Sequence, residues 1–183
     1  MIKEIRILGR GGQGIVTASE FLSEAAFADG KYAQSFPMFG SERHGAPVTA
    51  YVRISDRPIR LRSQIYEPDY VIVQDASLFG GTDVLEGLKD GGLVVINTER
   101  PREDFDIPGS YRVVTVPATD LALEIVGKPI INTIMVGAFA GASGEINLEA
   151  LEKSVRERYP GELGEKEVAA MREAFSRVSG VMR

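Results

Sequence analysis

The run Gly9-Arg10-Gly11-Gly12-Gln13-Gly14 fits the pattern G-x-G-x-x-G. Placed between a strand and a helix, such a turn offers backbone N–H groups and a helix dipole to a phosphate or carboxylate. The same glycines also suit a tight turn that needs backbone room and binds nothing. A dinucleotide site requires in addition an acid near the end of the second strand to grip the ribose hydroxyls. Residues Gly30 to Phe36 supply only Lys31, Tyr32, Gln34 and Ser35 there, which argues against NAD or FAD. The anion donors to be tested are therefore Gly11, Gly12, Gln13 and Gly14.

Other residues extend that chemistry. Within Ser35 to Pro47, Arg43 could clamp a carboxylate or phosphate through both arms of its guanidinium. His44 is the chain's single histidine and titrates near neutrality. No nucleophile or second base neighbours it, so a solvated or interface histidine is the better reading and no catalytic residue is assigned. Phe36, Met38 and Phe39 suit packing on a partner as well as on a ligand. Asp75 follows one apolar run and Asn97 closes another, which puts both at the edge where α/β sheets bind ligands. Each could equally be a helix cap or a turn residue.

The elements that must position these groups follow from periodicity. Ile2 to Leu8 alternates and reads as a strand, and Ile15 to Ala28 carries an amphipathic helix stripe that Gly30 would stop. Gln34 to Pro47 shows no period and reads as a long loop. Val48 to Ile54 and Pro58 to Leu61 flank Ser55-Asp56-Arg57 as an expected antiparallel hairpin. The apolar runs 70–74, 93–97 and 111–116 look like buried parallel strands. Helices are expected at 82–89, 119–126, 133–142, 148–159 and 165–179, with Asp120 or Thr119, Asn132 and Asn147 as N-caps. The 133–142 helix is apolar almost all round and contains Gly137 and Gly141, so it is either a central helix or a subunit seam. The sum is an α/β, three-layer, mainly parallel sheet with an antiparallel hairpin insertion, in a single domain over 1–183.

Composition narrows the function. The chain has 183 residues, 44% of them hydrophobic, no cysteine and one histidine. It has core enough to fold without disulfides, and it lacks the thiolates and imidazoles of a cluster or a His-rich metal site. Net charge is −5, against nucleic-acid binding, yet residues 1–62 carry nine Lys or Arg against six acids while 63–183 carry twelve against twenty. The basic third is the glycine-rich one, as a local anion site would have it. The longest apolar stretch, Ile130 to Ala142, is too short to span a bilayer, and the start lacks a signal-peptide pattern, so no membrane association and a cytoplasmic location are expected.

Several runs together resemble one family. They are the glycine turn continued by Ile15-Val16-Thr17-Ala18, then Ser41-Glu42-Arg43-His44-Gly45-Ala46-Pro47-Val48-Thr49-Ala50-Tyr51-Val52-Arg53-Ile54-Ser55-Asp56, Asp75-Ala76-Ser77-Leu78, and Asn132-Thr133-Ile134-Met135-Val136-Gly137-Ala138. The chain is similar, over about residues 3 to 142, to gamma subunits of pyruvate (2-oxoacid):ferredoxin oxidoreductases. The resemblance implies a heterotetramer of anaerobic metabolism in which a 2-oxoacid is decarboxylated on thiamine diphosphate and Mg. Electrons then pass through iron–sulfur clusters to ferredoxin, and acyl-coenzyme A forms. Those cofactors would belong to alpha, beta and delta partner chains, since this chain has no Gly-Asp-Gly followed by paired asparagines. The gamma part would lie near the active-site entrance and contact coenzyme A, with Gly11, Gly12, Gln13, Gly14, Arg43, Asp75 and Asn97 as the binding set. At His44 family members can carry a small residue, which speaks against catalysis there. Pyruvate leads as substrate; branched-chain 2-oxoacids and 2-oxoglutarate stay open. A stand-alone module for a phosphorylated ligand, and a purely structural bridge, are the alternatives from other classes.

Overall fold

The computed structural model describes residues 1–38 and 45–179. Its strands are β1 (Ile2–Arg10), β2 (Tyr32–Met38), β3 (Pro47–Ser55), β4 (Tyr70–Val73), β5 (Leu93–Asn97) and β6 (Arg112–Val116). They form one six-stranded sheet in the order β2-β3-β1-β4-β5-β6. β1, β4, β5 and β6 run parallel, and β3 is antiparallel to both of its neighbours, β1 and β2. The expected α/β architecture with a mainly parallel sheet and an antiparallel insertion is thus the one observed.

Strand alternation divides the sheet into two unlike faces. Ile5, Ile7, Val52, Ile54, Ile72 and Val95 point to a layer of four helices: α1 (Ile15–Ala28), α3 (Asn132–Ser143), α4 (Leu148–Arg158) and α5 (Glu162–Ser179). A short α2 (Ala118–Leu121) runs into a π-helical turn, Ala122–Val126, that closes this layer. Leu8, Val71, Val73, Val94 and Ile96 point the other way, against Leu78, Val84, Leu88, Phe105 and Ile107. Those residues sit on 3₁₀ turns (Ala76–Gly80 and Arg102–Asp104) and coil.

α3 is a central helix. All of its residues from Asn132 to Ala140 are buried, and α5 lies directly on its glycine side. A Cβ added at Gly137 would come within 2.6 Å of the Met171 carbonyl oxygen, and one at Gly141 within 2.6 Å of the Phe175 carbonyl oxygen. The two backbones therefore touch where the sequence places glycine, which settles the choice between a central helix and a subunit seam. The expected stripes on α4 and α5 are buried as well, through Leu151, Val155, Val168, Met171 and Val178.

Four local expectations are corrected. Residues 34–38 belong to β2 rather than to a loop: as an edge strand it is half-exposed on both faces, so it shows no clean alternation, and it tolerates Pro37 because an edge strand leaves some N–H positions unpaired. The antiparallel hairpin is β2–β3, not 48–61. Both edges of β3 are occupied, so 58–61 finds no partner and runs as coil. Residues 82–89 form turns instead of a helix, because the buried Arg6 guanidinium takes the carbonyls of Val84 (3.0 Å) and Glu86 (2.6 Å) that a helix would have used. Of the expected caps only Asn147 holds its place, accepting the N–H groups of Glu149 and Ala150. Pro117 and Ile131 precede α2 and α3, so Thr119, Asp120 and Asn132 already lie inside their helices.

Candidate carboxyl-edge site

β1 ends in the glycine turn, and β4 and β5 end beside it. Gly12 and Gly14 have φ of 90° and 69°, a left-handed geometry that a side chain resists. Gly14 is the N-cap of α1 and sits against Asn132, since a Cβ there would lie 2.7 Å from Asn132 Nδ2. The N-termini of two full helices, α1 and α3, therefore converge on one spot at the carboxyl edge of the sheet. Their first-turn N–H groups lack intrahelical partners and carry the positive end of the dipole.

The turn is braced from within. Gln13 accepts the Arg10 N–H at Oε1 (2.7 Å) and donates through Nε2 to Asp75 Oδ2 (2.9 Å). The Gly11 N–H donates to the Ala46 carbonyl and the Gln13 N–H to the Arg10 carbonyl. Among the described residues this leaves the Gly12 and Gly14 N–H groups of the turn without an acceptor. Asp75 also accepts the backbone N–H (3.0 Å) and hydroxyl (2.6 Å) of Ser77 and faces Arg10 Nε at 3.5 Å. Burial pushes the Asp75 carboxyl up, but the hydrogen bonds from Ser77 and Gln13 and the Arg10 charge outweigh it and hold it below its ordinary value. Asp75 is thus an ionised brace of the glycine turn.

Asn97 joins three elements. Its Nδ2 donates to the Gln74 carbonyl and to Thr119 Oγ1, both at 3.0 Å, and its Oδ1 accepts the Thr119 N–H at 3.2 Å. It acts as a cap for α2 supplied from another strand. Gln13, Gln74, Asp75, Ser77, Asn97, Thr119 and Ile131 line a cavity of about 260 Å³. The structure thus brings together Gly11, Gly12, Gln13, Gly14, Asp75 and Asn97, while Arg43, with His44 and Phe39, lies outside the described residues.

Sequence reasoning missed Arg10, Gln74, Ser77 and Thr119. Arg10, inside the glycine motif, reaches Ser77 Oγ (2.9 Å) and the Gly45 carbonyl (3.1 Å). Gln74 had a readable signal, a polar residue closing an apolar strand at the ligand edge. Ser77 stood in a run shared with the family and Thr119 read as a cap, but only the tertiary fold brings them to the cavity. Among the described residues no group of three His, Asp or Glu side chains could hold a metal ion, and no helix is long and apolar enough to cross a membrane.

Comparison with known proteins relates the chain to a family. The chain is 57% identical over 155 residues to the pyruvate synthase subunit PorC of Methanosarcina barkeri, covering 85% of each chain. It is 52% identical to the pyruvate/ketoisovalerate oxidoreductases common subunit gamma of Thermococcus kodakarensis, over 95% of this chain and 96% of that one. The crystal structure of the pyruvate oxidoreductase subunit PORC of Thermotoga maritima superposes with a TM-score of 0.84 at 36% identity, covering 96% of both chains. A 2-oxoglutarate:ferredoxin oxidoreductase of Magnetococcus marinus shares the fold over 32% of its longer chain, with a TM-score of 0.80 at 19% identity. Residues 4–177 match the family model described as pyruvate ferredoxin/flavodoxin oxidoreductase, and it is to this family that the chain belongs.

Proposed function

We propose that the chain is the gamma subunit of a multi-subunit pyruvate:ferredoxin oxidoreductase and that its carboxyl edge holds the phosphates of coenzyme A. The complex oxidatively decarboxylates a 2-oxoacid, forms acyl-coenzyme A and CO2, and passes the two electrons to ferredoxin. Thiamine diphosphate, Mg and the iron–sulfur clusters reside on alpha, beta and delta partner chains, because a cysteine-free polypeptide supplies no thiolate for a cluster. The setting is cytoplasmic, and residues 1–183 act as one gamma domain.

One observation supports the phosphate assignment: among the described residues the Gly12 and Gly14 N–H groups have no acceptor, and Gly14, the N-cap of α1, stands against Asn132 at the start of α3. Arg43, within the basic first third, would add a forked cation from the adjoining loop. Asp75 and Asn97 shape the site through Gln13 and Thr119 rather than meeting the phosphate. The likeness to a gamma subunit common to pyruvate and ketoisovalerate enzymes favours a second reading of substrate, in which one gamma chain serves pyruvate and branched-chain partners alike.

The test is the assembled complex carrying Gly12→Asp with Arg43→Ala. Loss of charge-assisted phosphate contacts is expected to raise the apparent KM for coenzyme A by about tenfold or more, with KM for the 2-oxoacid unchanged. An unchanged KM for coenzyme A in an intact complex would remove the phosphate assignment. A full-length chain that purifies from its native cells alone and colourless would favour the stand-alone module.

A further inference from the structure

Between β3 and β4 the chain runs as a strap, residues 56–69, with neither helix nor strand. The strap is anchored at both ends. Its Arg57 N–H donates to Ser55 Oγ, the last residue of β3, at 3.1 Å. Further on, the buried Arg53 guanidinium, held by Glu4 Oε1 at 2.8 Å, donates through Nη2 to the Ser63 carbonyl at 2.7 Å. Ile65 is buried, and the Tyr66 carbonyl oxygen lies against Gly87, where an added Cβ would stand 2.0 Å from it. Between these anchors residues 58–62 make no hydrogen bond among the described residues.

The side chains on that free stretch are unusual for this protein. The net charge is −5, yet Arg57 to Arg62 carries three arginines and no acid. All three are exposed, and among the described residues none is ion-paired. The nearby acids are used elsewhere: Asp56 faces the amino terminus at 3.4 Å, and Glu4 is taken by Arg53. Leu61 and Tyr66 are 47% and 70% exposed, and Gln64 Nε2 touches the Sδ of half-exposed Met38. Arginine, tyrosine and methionine are the types enriched where protein chains meet. Because the ends are already fixed, little further ordering is lost on contact.

We propose that residues 57–66 are a docking surface for a protein chain that presents carboxylates around an apolar centre. This rests on the gamma-subunit reading above, which makes that partner another chain of the complex, and adds to it the surface and the charge of the contact. Nucleic acid is the wrong polyanion: the net charge repels it, and Leu61 and Tyr66 offer its phosphates nothing.

The test compares the free full-length chain with the same chain in the assembled complex. Trypsin can cut after Arg60 and Arg62, while Pro58 blocks the bond after Arg57. Both bonds should be cut in the free chain and at least about tenfold more slowly in the complex. Replacing all three, Arg57→Gln, Arg60→Gln and Arg62→Gln, should raise the apparent dissociation constant of the chain from the complex about tenfold at low salt. Gel filtration of a dilution series reads this, and the difference should vanish at about 0.5 M salt. Equal cutting of the free and assembled chain overturns the docking surface, with no variant needed. A variant that is not weakened, or is weakened equally at both salt levels, overturns the acidic partner. Mixed-sequence RNA that protects the free chain from trypsin would assign the strap to nucleic acid instead. A wild-type chain that enters no complex overturns the gamma-subunit reading first, and the docking surface with it.

Discussion

Replacing Gly137 with alanine sets two physical effects against each other, and the structure fixes which one wins. Glycine inside a helix is about 1 kcal/mol less favourable than alanine, so helix propensity alone predicts a more stable protein. The added Cβ, however, would stand 2.6 Å from the Met171 carbonyl oxygen, where ordinary contact begins at 3.4 Å. That oxygen belongs to the backbone of α5 and cannot rotate away. α3 and α5 must separate by close to an ångström along a seam that Gly141 continues, and overpacking of this kind costs about 1–3 kcal/mol. We place the cost at the upper end, for a net loss of about 1–2 kcal/mol. For a chain of 183 residues this corresponds to a fall in Tm of roughly 2–8 °C. Differential scanning calorimetry of the full chain measures it, with Gly80→Ala as the control, since a Cβ there meets nothing within 4 Å. A Gly137→Ala protein as stable as its parent, or more so, would refute the close approach of the two helices.

Other outcomes follow from the site and the core. Asp75→Asn should lower stability at pH 7 by about 1–2 kcal/mol by weakening the brace of the glycine turn. Because the folded-state value of Asp75 is depressed, its contribution is complete above the unfolded value near 3.9 and is lost as pH falls through the folded one. The gap between wild type and variant in urea titrations should therefore close below about pH 4. Glu167 is buried between α5 and Thr133, and burial raises its carboxyl above the ordinary value despite the Thr133 hydrogen bond. The folded chain thus holds that proton more tightly than the unfolded one, and stability is lost as pH rises from the unfolded value through the folded one. Glu167→Gln should flatten this decline, visible as a smaller drop in Tm as pH is raised above the ordinary Glu value of about 4.3. Asn97→Ala should free the start of α2, with faster amide exchange at Thr119 and a loss of about 1 kcal/mol. Reversing the exposed Arg57, Arg60 and Arg62 to Glu should leave the isolated chain folded and weaken its recovery in the assembled complex, as gel filtration would report.

What the sequence revealed depended on how local the controlling physics was. α1 was legible to the residue because its stripe and the glycines at both ends are local signals. β4 and β5 were legible because strands buried on both faces read as unbroken apolar runs. β2 was not, since its only partner is β3 and its half-exposed residues carry no period. The turns at 82–89 were misread as a helix because the decisive contact comes from Arg6, far away in the chain. The same divide runs through the site. The glycine turn and the residues at the ends of β4 and β5 announced themselves, whereas the pairing of Asn97 with Thr119 came only with the fold.

The unlike faces of the sheet have a consequence for how the subunit lives among its neighbours. On one side the covering is a deep apolar mass; on the other it is a thin veneer of coil, pinned by two buried guanidiniums, Arg6 on the carbonyls of Val84 and Glu86 and Arg53 on that of Ser63. Such a veneer can loosen piece by piece while the helical mass stays shut, because it is built of short 3₁₀ turns and coil rather than of full helices. An adjoining chain could thus remould that side to its own contour without a toll on the rest of the molecule.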